Sequence, residues 1–214
     1  MDPAVESAEL DLRLAALDAY LADMQPRSRS YFGAWISMMS ILAGGQAAQA
    51  AFEDDKAERA GLITGASFST LGLTLVLIAP TPGRYGHKRF SQMPQGTLEE
   101  KRRKANQGEE YLRGEAAAVR RTHSLFTHLL GATLGVGGFL GLYLGYDDNL
   151  VGALRTGIGT IAVTELRVWT RPKRAIRYLN EYRAQPTVMP TAESLAFAPL
   201  MIRGAQGISM AGRF

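Results

Sequence analysis

Three histidines and no cysteine are all that this 214-residue chain offers to imidazole or thiol chemistry. Without cysteine there is no disulfide, no iron–sulfur ligand and no thiol nucleophile. His87, His123 and His128 do not combine into a metal site. His123 and His128 stand five apart, off the i, i+4 spacing that puts two imidazoles on one helix face, and no carboxylate cluster accompanies them. A haem held between helices needs two histidines at similar depth, and only His128 falls inside an apolar segment. No glycine loop follows a strand or carries the lysine that a phosphate-binding loop requires. The sequence therefore reads as a non-enzymatic protein, with no catalytic residue, cofactor or metal expected.

The chemistry that remains lies in polar groups placed among apolar ones. Gln46, Gln49, Arg155 and Glu165 fall within or at the ends of long apolar segments, where such groups either hydrogen-bond between helices or line a polar path. Arg155 stands close to Asp147 and Asp148 and is expected to pair with one of them or to snorkel outward. A basic run, Lys101, Arg102, Arg103 and Lys104, suits anionic lipid headgroups, although a solvated face flanking a membrane is its plainer use. No folded basic surface for nucleic acid is identifiable, and the net charge of +4 is a weak clue to it.

These residues need elements to hold them, and the pattern predicts an all-α membrane protein. The 23 residues of 124–146 carry no formal charge, enough at about 1.5 Å per residue to cross a hydrocarbon core of roughly 30 Å. Gly131 and Gly135 stand four apart, as do Gly137, Gly141 and Gly145, so each set forms a small-residue face that another helix can approach closely. Residues 32–52 and 60–80 are each 21 long and uncharged, and a fourth apolar segment reaches about Trp169. Mean hydropathy over the chain is −0.06, but the apolar residues are gathered in these blocks with the charge between them, as two solvents would require. Four transmembrane helices forming two hairpins are expected.

Five regions follow. Residues 1–30 form an acidic amphipathic helix whose Leu10, Leu14, Leu17, Leu21 and Met24 make one stripe, ending at Gln25-Pro26. Its acidic start argues against a targeting presequence. Residues 31–80 are the first hairpin. Residues 81–123 are a basic loop in which Thr97 and Glu100 make a capping box, opening a helix that Gly108 and Gly114 weaken and that can run on into the next span. Residues 124–170 are the second hairpin, and 171–214 a basic juxtamembrane helix followed by a tail. Leu200, Ile202, Ile208, Met210 and Phe214 share one parity and could pair as a strand. That end faintly resembles the closing strand of outer-membrane barrels, but one segment does not make a barrel, and a disordered or loosely docked tail is the expectation.

Charge sets the orientation. The first 31 residues, the 81–123 loop and the stretch from Glu165 hold 21 of the 24 Lys and Arg, which places both termini and the loop on the cytoplasmic side. Each hairpin turns at Asp-Asp and shows Leu-x-Thr-Gly early in its returning helix, at 62–65 and 154–157, as a duplication would leave. Abundant packing residues and absent chemistry point to a scaffold or anchor that self-associates through Gly137, Gly141 and Gly145, with lipids, further copies or another membrane protein as partners. A small transporter or channel subunit is the alternative.

Overall fold

The structure, a computed structural model, describes residues 2–78, 81–146 and 150–184, together with the backbones of 196–202 and 205–211. The chain divides into two units, 1–182 and 183–214. The first is helical throughout. In order it runs α1 (Pro3–Phe52), α2 (Lys56–Ile78), a 3-10 turn (Pro82–Arg84), α3 (Gly86–Ser91), α4 (Leu98–Thr122), α5 (Leu125–Gly145), α6 (Leu150–Thr170) and α7 (Arg174–Ala184), whose last turn enters the second unit.

Helix α1 corrects the first boundary. It does not stop at Gln25-Pro26 but continues for 50 residues with Pro26 inside it. Asp2 caps its start, the carboxylate accepting from the Ala4 N–H at 2.9 Å, and Pro3 occupies the first turn. Pro26 removes one helical hydrogen bond. What carries the helix past it is an unbroken buried stripe, Leu21 and Met24 before and Ser28, Tyr31 and Trp35 after, while Pro26 sits on the exposed side.

Two packing regions hang on this helix. In the polar layer, Leu10, Leu14, Leu17, Leu21 and Met24 pack with Phe90, with Leu112, Ala116 and Val119 of α4, and with Ala175, Tyr178 and Leu179 of α7. The capping box opens α4 as the sequence indicates: Thr97 Oγ1 accepts from the Glu100 N–H, and Glu100 returns the bond to the Thr97 N–H. Gly108 does not interrupt α4. A Cβ there would lie 2.6 Å from the Phe90 ring, so glycine is what lets α3 and α4 close on each other. Nor does α4 run on into α5; it ends at Thr122, and α5 begins after His123 and Ser124, with Ser124 Oγ donating to the Arg121 carbonyl.

In the bundle, α1 pairs with α2 and α5 with α6. Tyr31, Phe32, Trp35 and Met39 pack with Val76, and a smaller cluster of Ala60, Leu142 and Ala153 joins α2 to the second hairpin. Helices α2 and α5 are each long and apolar enough to cross a bilayer, and only 17% and 22% of their apolar stretches are buried. The core helix of a soluble domain would be mostly covered. Here Ile63, Leu77, Leu129, Val136 and Leu144 stand more than half exposed, apolar surface that water would penalise.

The second unit holds an antiparallel pair, β1 (Ala196–Ile202) and β2 (Ala205–Ala211), with Phe197 opposite Met210 and Pro199 opposite Ile208. In this register Leu200 stands opposite Gly207 and Ile202 opposite Ala205, so the apolar residues that share one parity do not oppose one another across the pair.

Candidate functional site: a cleft between the helical hairpins

The two hairpins do not close on each other along their whole length. Small residues line the gap, Gly61, Gly65, Ser69 and Gly72 on α2 with Gly131 on α5 and Gly159 on α6; Gly61 lies near Thr156 and Leu142 of the second hairpin, whereas Gly65 and Gly72 lie against Gln46 and Met39 of α1. A cleft of about 1100 Å³ remains, bounded by α1, α2, α5 and α6. That is just above the range for small-molecule sites, about 300–1,000 Å³.

Three of the four residues expected on a polar path line it: Gln46, Gln49 and Arg155. Gln46 is fixed in place. Its side-chain amide lies over Gly65, where a Cβ would fall 2.6 Å from Nε2, and Ser69 Oγ donates to its Oε1 at 3.4 Å. On the opposite wall Thr156, Thr160 and Thr164 form an i, i+4 column on α6. Thr160 and Thr164 donate their hydroxyls to the carbonyls of Thr156 and Thr160 at 2.8 and 2.9 Å, which leaves the oxygens as acceptors toward the cleft. Arg155 makes no ion pair among the described residues; Asp147 and Asp148, its expected partners, lie outside them.

Glu165 is not part of the cleft lining. Its carboxylate meets His128 Nδ1 at 2.8 Å and accepts from Trp169 Nε1 at 3.2 Å, tying α5 to α6. The remaining histidines are equally separate. His87 faces Asp18 at 3.3 Å, and burial and then the nearby Lys173 push the His123 pKa down. Among the described residues no group of three metal-ligating side chains occurs.

The glycine faces of α5 separate cleanly. Gly131 and Gly135 are consumed within the chain, where added Cβ atoms would lie 2.5 Å from Thr164 and 2.4 Å from Ile161. Gly137, Gly141 and Gly145 meet no atom within 4 Å. The Leu-x-Thr-Gly glycines hold matching positions: Gly65 lies against Gln46 of the preceding helix, and Gly157 against the Gly135 carbonyl of its own preceding helix.

The basic run is engaged inside the protein. Lys101 meets Asp11 at 2.7 Å and Ser7 at 2.9 Å, Arg102 bonds Glu6 at 2.6 Å, and Arg103 pairs with Glu99 along α4. Lys104 is buried, donating to the Met93 carbonyl and Gln95 and lying 4.9 Å from the centre of the Phe90 ring. Three of the four thus bind either the acidic face of α1 or the turn before α4.

One buried site has no counterpart in the sequence reading. Glu115 and Arg171, 3% and 7% exposed, pair at 3.2 Å where the polar layer meets the bundle. Glu115 also accepts from the Gly83 N–H at 2.8 Å. Arg171 donates to Thr122 Oγ1 at 2.9 Å, with its guanidinium 5.8 and 5.4 Å from the Tyr31 and Phe32 ring centres. Glu115 was legible to the extent that it shares the buried face of α4 with Leu112, Ala116 and Val119. Nothing local marks Arg171 as its partner. No protein-family model, curated protein or solved structure matches this chain.

Proposed function

We propose that the protein is a four-span integral membrane protein whose working part is the cleft, acting without catalysis as a small transporter or channel subunit. The C-terminal half of α1 pairs with α2, and α5 with α6, as two spanning hairpins. The exposed apolar side chains of α2, α5 and α6 support this arrangement, since they need lipid to cover them. The weight of Lys and Arg puts both termini and the 81–123 loop on the cytoplasmic side. A cysteine at Asn106 is then shielded from an external reagent in intact cells while one at Asp55 reacts; equal labelling of the two refutes the crossing of α2.

The observation that carries the transport reading is the convergence of Gln46, Gln49 and Arg155 on one cleft bounded by four helices. Polar groups gathered from separate helices onto a shared gap do more than glue one helix pair. In liposomes, wild-type protein passes at least one of a panel of small ions and a fluorescent anionic amphiphile, and Gln46→Leu and Arg155→Leu reduce that flux at least tenfold. Absence of flux for every probe in wild type refutes the reading.

The bare face of Gly137, Gly141 and Gly145 favours a second reading, a scaffold or anchor that self-associates. Under it, Gly141→Leu shifts the mass measured in mild detergent toward a monomer. A mass unchanged by that substitution removes it.

A further inference from the structure

We infer that the cleft takes a phosphoryl lipid, its anionic phosphate held between Arg121 and Arg167 and one acyl chain lying along the helices toward Thr156. This rests on the reading of the bundle as membrane-spanning and names the ligand class of the same cleft.

The two ends of the cleft differ in charge. At one end Arg155 shares the lining with Glu53 and Glu58, so an anion there meets carboxylates. At the other end Arg121 and Arg167 line it with no carboxylate beside them. Neither forms an ion pair among the described residues, and the nearby acids are engaged elsewhere, Glu115 with Arg171 and Glu165 with His128. Two guanidiniums facing a gap without a counter-ion suit a phosphate, which can accept from both forks. Ser124 and Thr127 add hydroxyls at that end, although both donate to the Arg121 carbonyl, at 2.7 and 2.9 Å, and so offer only acceptors. The phosphate must therefore be held by the arginines.

Between the ends the walls are largely apolar. Leu71, Leu75 and Leu130 line the cleft and are still 46%, 41% and 42% exposed, so the described residues leave much of their apolar surface uncovered. From Arg167 to Arg155 is twelve residues of α6, about 18 Å. An inorganic anion would leave that wall bare. A charged head on an acyl chain matches both parts, a polar end and an apolar shaft open to the bilayer.

The test uses the full chain in micelles of a non-ionic, phosphate-free maltoside detergent, titrated with lysophosphatidylglycerol or with the monoacylglycerol of the same chain. Retention is read by native mass spectrometry. One lysophosphatidylglycerol per protomer is expected, preferred at least tenfold over the monoacylglycerol. The double variant Arg121→Gln/Arg167→Gln abolishes the preference, while Arg155→Gln keeps it. Thr160→Trp, which fills the shaft, abolishes retention of both probes. Circular dichroism melting confirms that each variant is folded. Equal retention of the two probes by wild type, or an unchanged preference in the double variant, overturns the proposal, as does loss of the preference in Arg155→Gln alone. The outcomes separate from those of the transport reading: selective retention without any flux leaves the lipid site standing and removes transport, whereas flux without selective retention does the reverse.

Discussion

Replacing Glu115 by Ala tests how the polar layer is fastened to the bundle. The substitution strands the Arg171 guanidinium in a site only 7% exposed, with the Thr122 hydroxyl and two ring faces for company, and removes the acceptor of the Gly83 N–H. Breaking a buried pair by deleting one partner costs about 3–5 kcal/mol, and an orphaned buried N–H about 1–3 kcal/mol. The two overlap, because the cavity left by the carboxylate can admit water, so about 4 kcal/mol is expected. For a chain of this length that lowers the midpoint of thermal unfolding by about 10 °C. The assay is melting followed by circular dichroism in a neutral detergent, on the single variants Glu115→Ala and Arg171→Leu and on the double Glu115→Leu/Arg171→Leu. Because desolvating two charges offsets most of their attraction, the double variant should sit within about 2 kcal/mol of wild type, far above the sum of the singles. A loss under about 1 kcal/mol in Glu115→Ala, or a double variant as unstable as that sum, refutes the reasoning.

Gly135→Leu should separate α5 from α6, since even its Cβ meets Ile161 at 2.4 Å and the Gly157 carbonyl at 2.7 Å; Gly137→Leu, with open space, should leave the melting midpoint unchanged, and equal effects would sink the assignment of the two faces. The polar layer should loosen in acid. The Tyr178 hydroxyl, with Arg27 and Arg174, holds the Asp23 carboxyl below its usual range; burial pushes Glu109 up, but hydrogen bonds from Tyr182 and Arg13 outweigh it and hold that carboxyl low as well. Groups depressed in the folded state stabilise above their unfolded pKa, about 4, and that stability is lost as pH falls through the folded values. Melting midpoints from about pH 7 to about pH 3 should therefore fall more steeply for wild type than for Asp23→Asn/Glu109→Gln; parallel slopes would refute the linkage.

What the sequence made legible was whatever is encoded locally. The capping box at Thr97 and Glu100, the cap at Asp2 and the apolar stripe from Leu10 to Met24 each depend on neighbours within a turn or two, and each stands in the structure. The reading failed where distant partners decide. Pro26 looks like a terminator until Ser28, Tyr31 and Trp35 are seen to continue the stripe into another packing region. Gly108 looks like a weak point until the Phe90 ring is placed against it. The basic run invites a lipid surface, but its counter-ions were present all along as Glu6 and Asp11 on the acidic face of α1, about ninety residues away in sequence. Glu165 was grouped with Gln46, Gln49 and Arg155 by its setting alone, and only the rotation of α6 turns it toward His128 instead of the cleft.

That α1 is one helix explains why its partners change along its length. The buried positions Leu10, Leu14, Leu17, Leu21, Met24, Ser28, Tyr31 and Trp35 repeat by four and three in turn, a strict seven-residue period. A straight α-helix drifts about 20° per heptad against such a period, roughly 70° from the first of these residues to the last. The buried stripe therefore winds slowly around α1, and no single straight helix can follow it. The chain supplies two sets of neighbours instead, α4 and α7 over the stripe up to Met24 and α2 with α6 from Tyr31 onward. The handover falls at Ser28, where Gly83 must lack a side chain because a Cβ would lie 2.4 Å from Ser28 Oγ, and where Glu115 and Arg171 close the junction from the other side. The buried ion pair is thus placed at the junction between the two sets of apolar neighbours of α1. There hydrogen bonds to the Gly83 N–H and to Thr122 can fasten the turn after α2, helix α4 and the end of α6 to each other beside the aromatic side chains of α1.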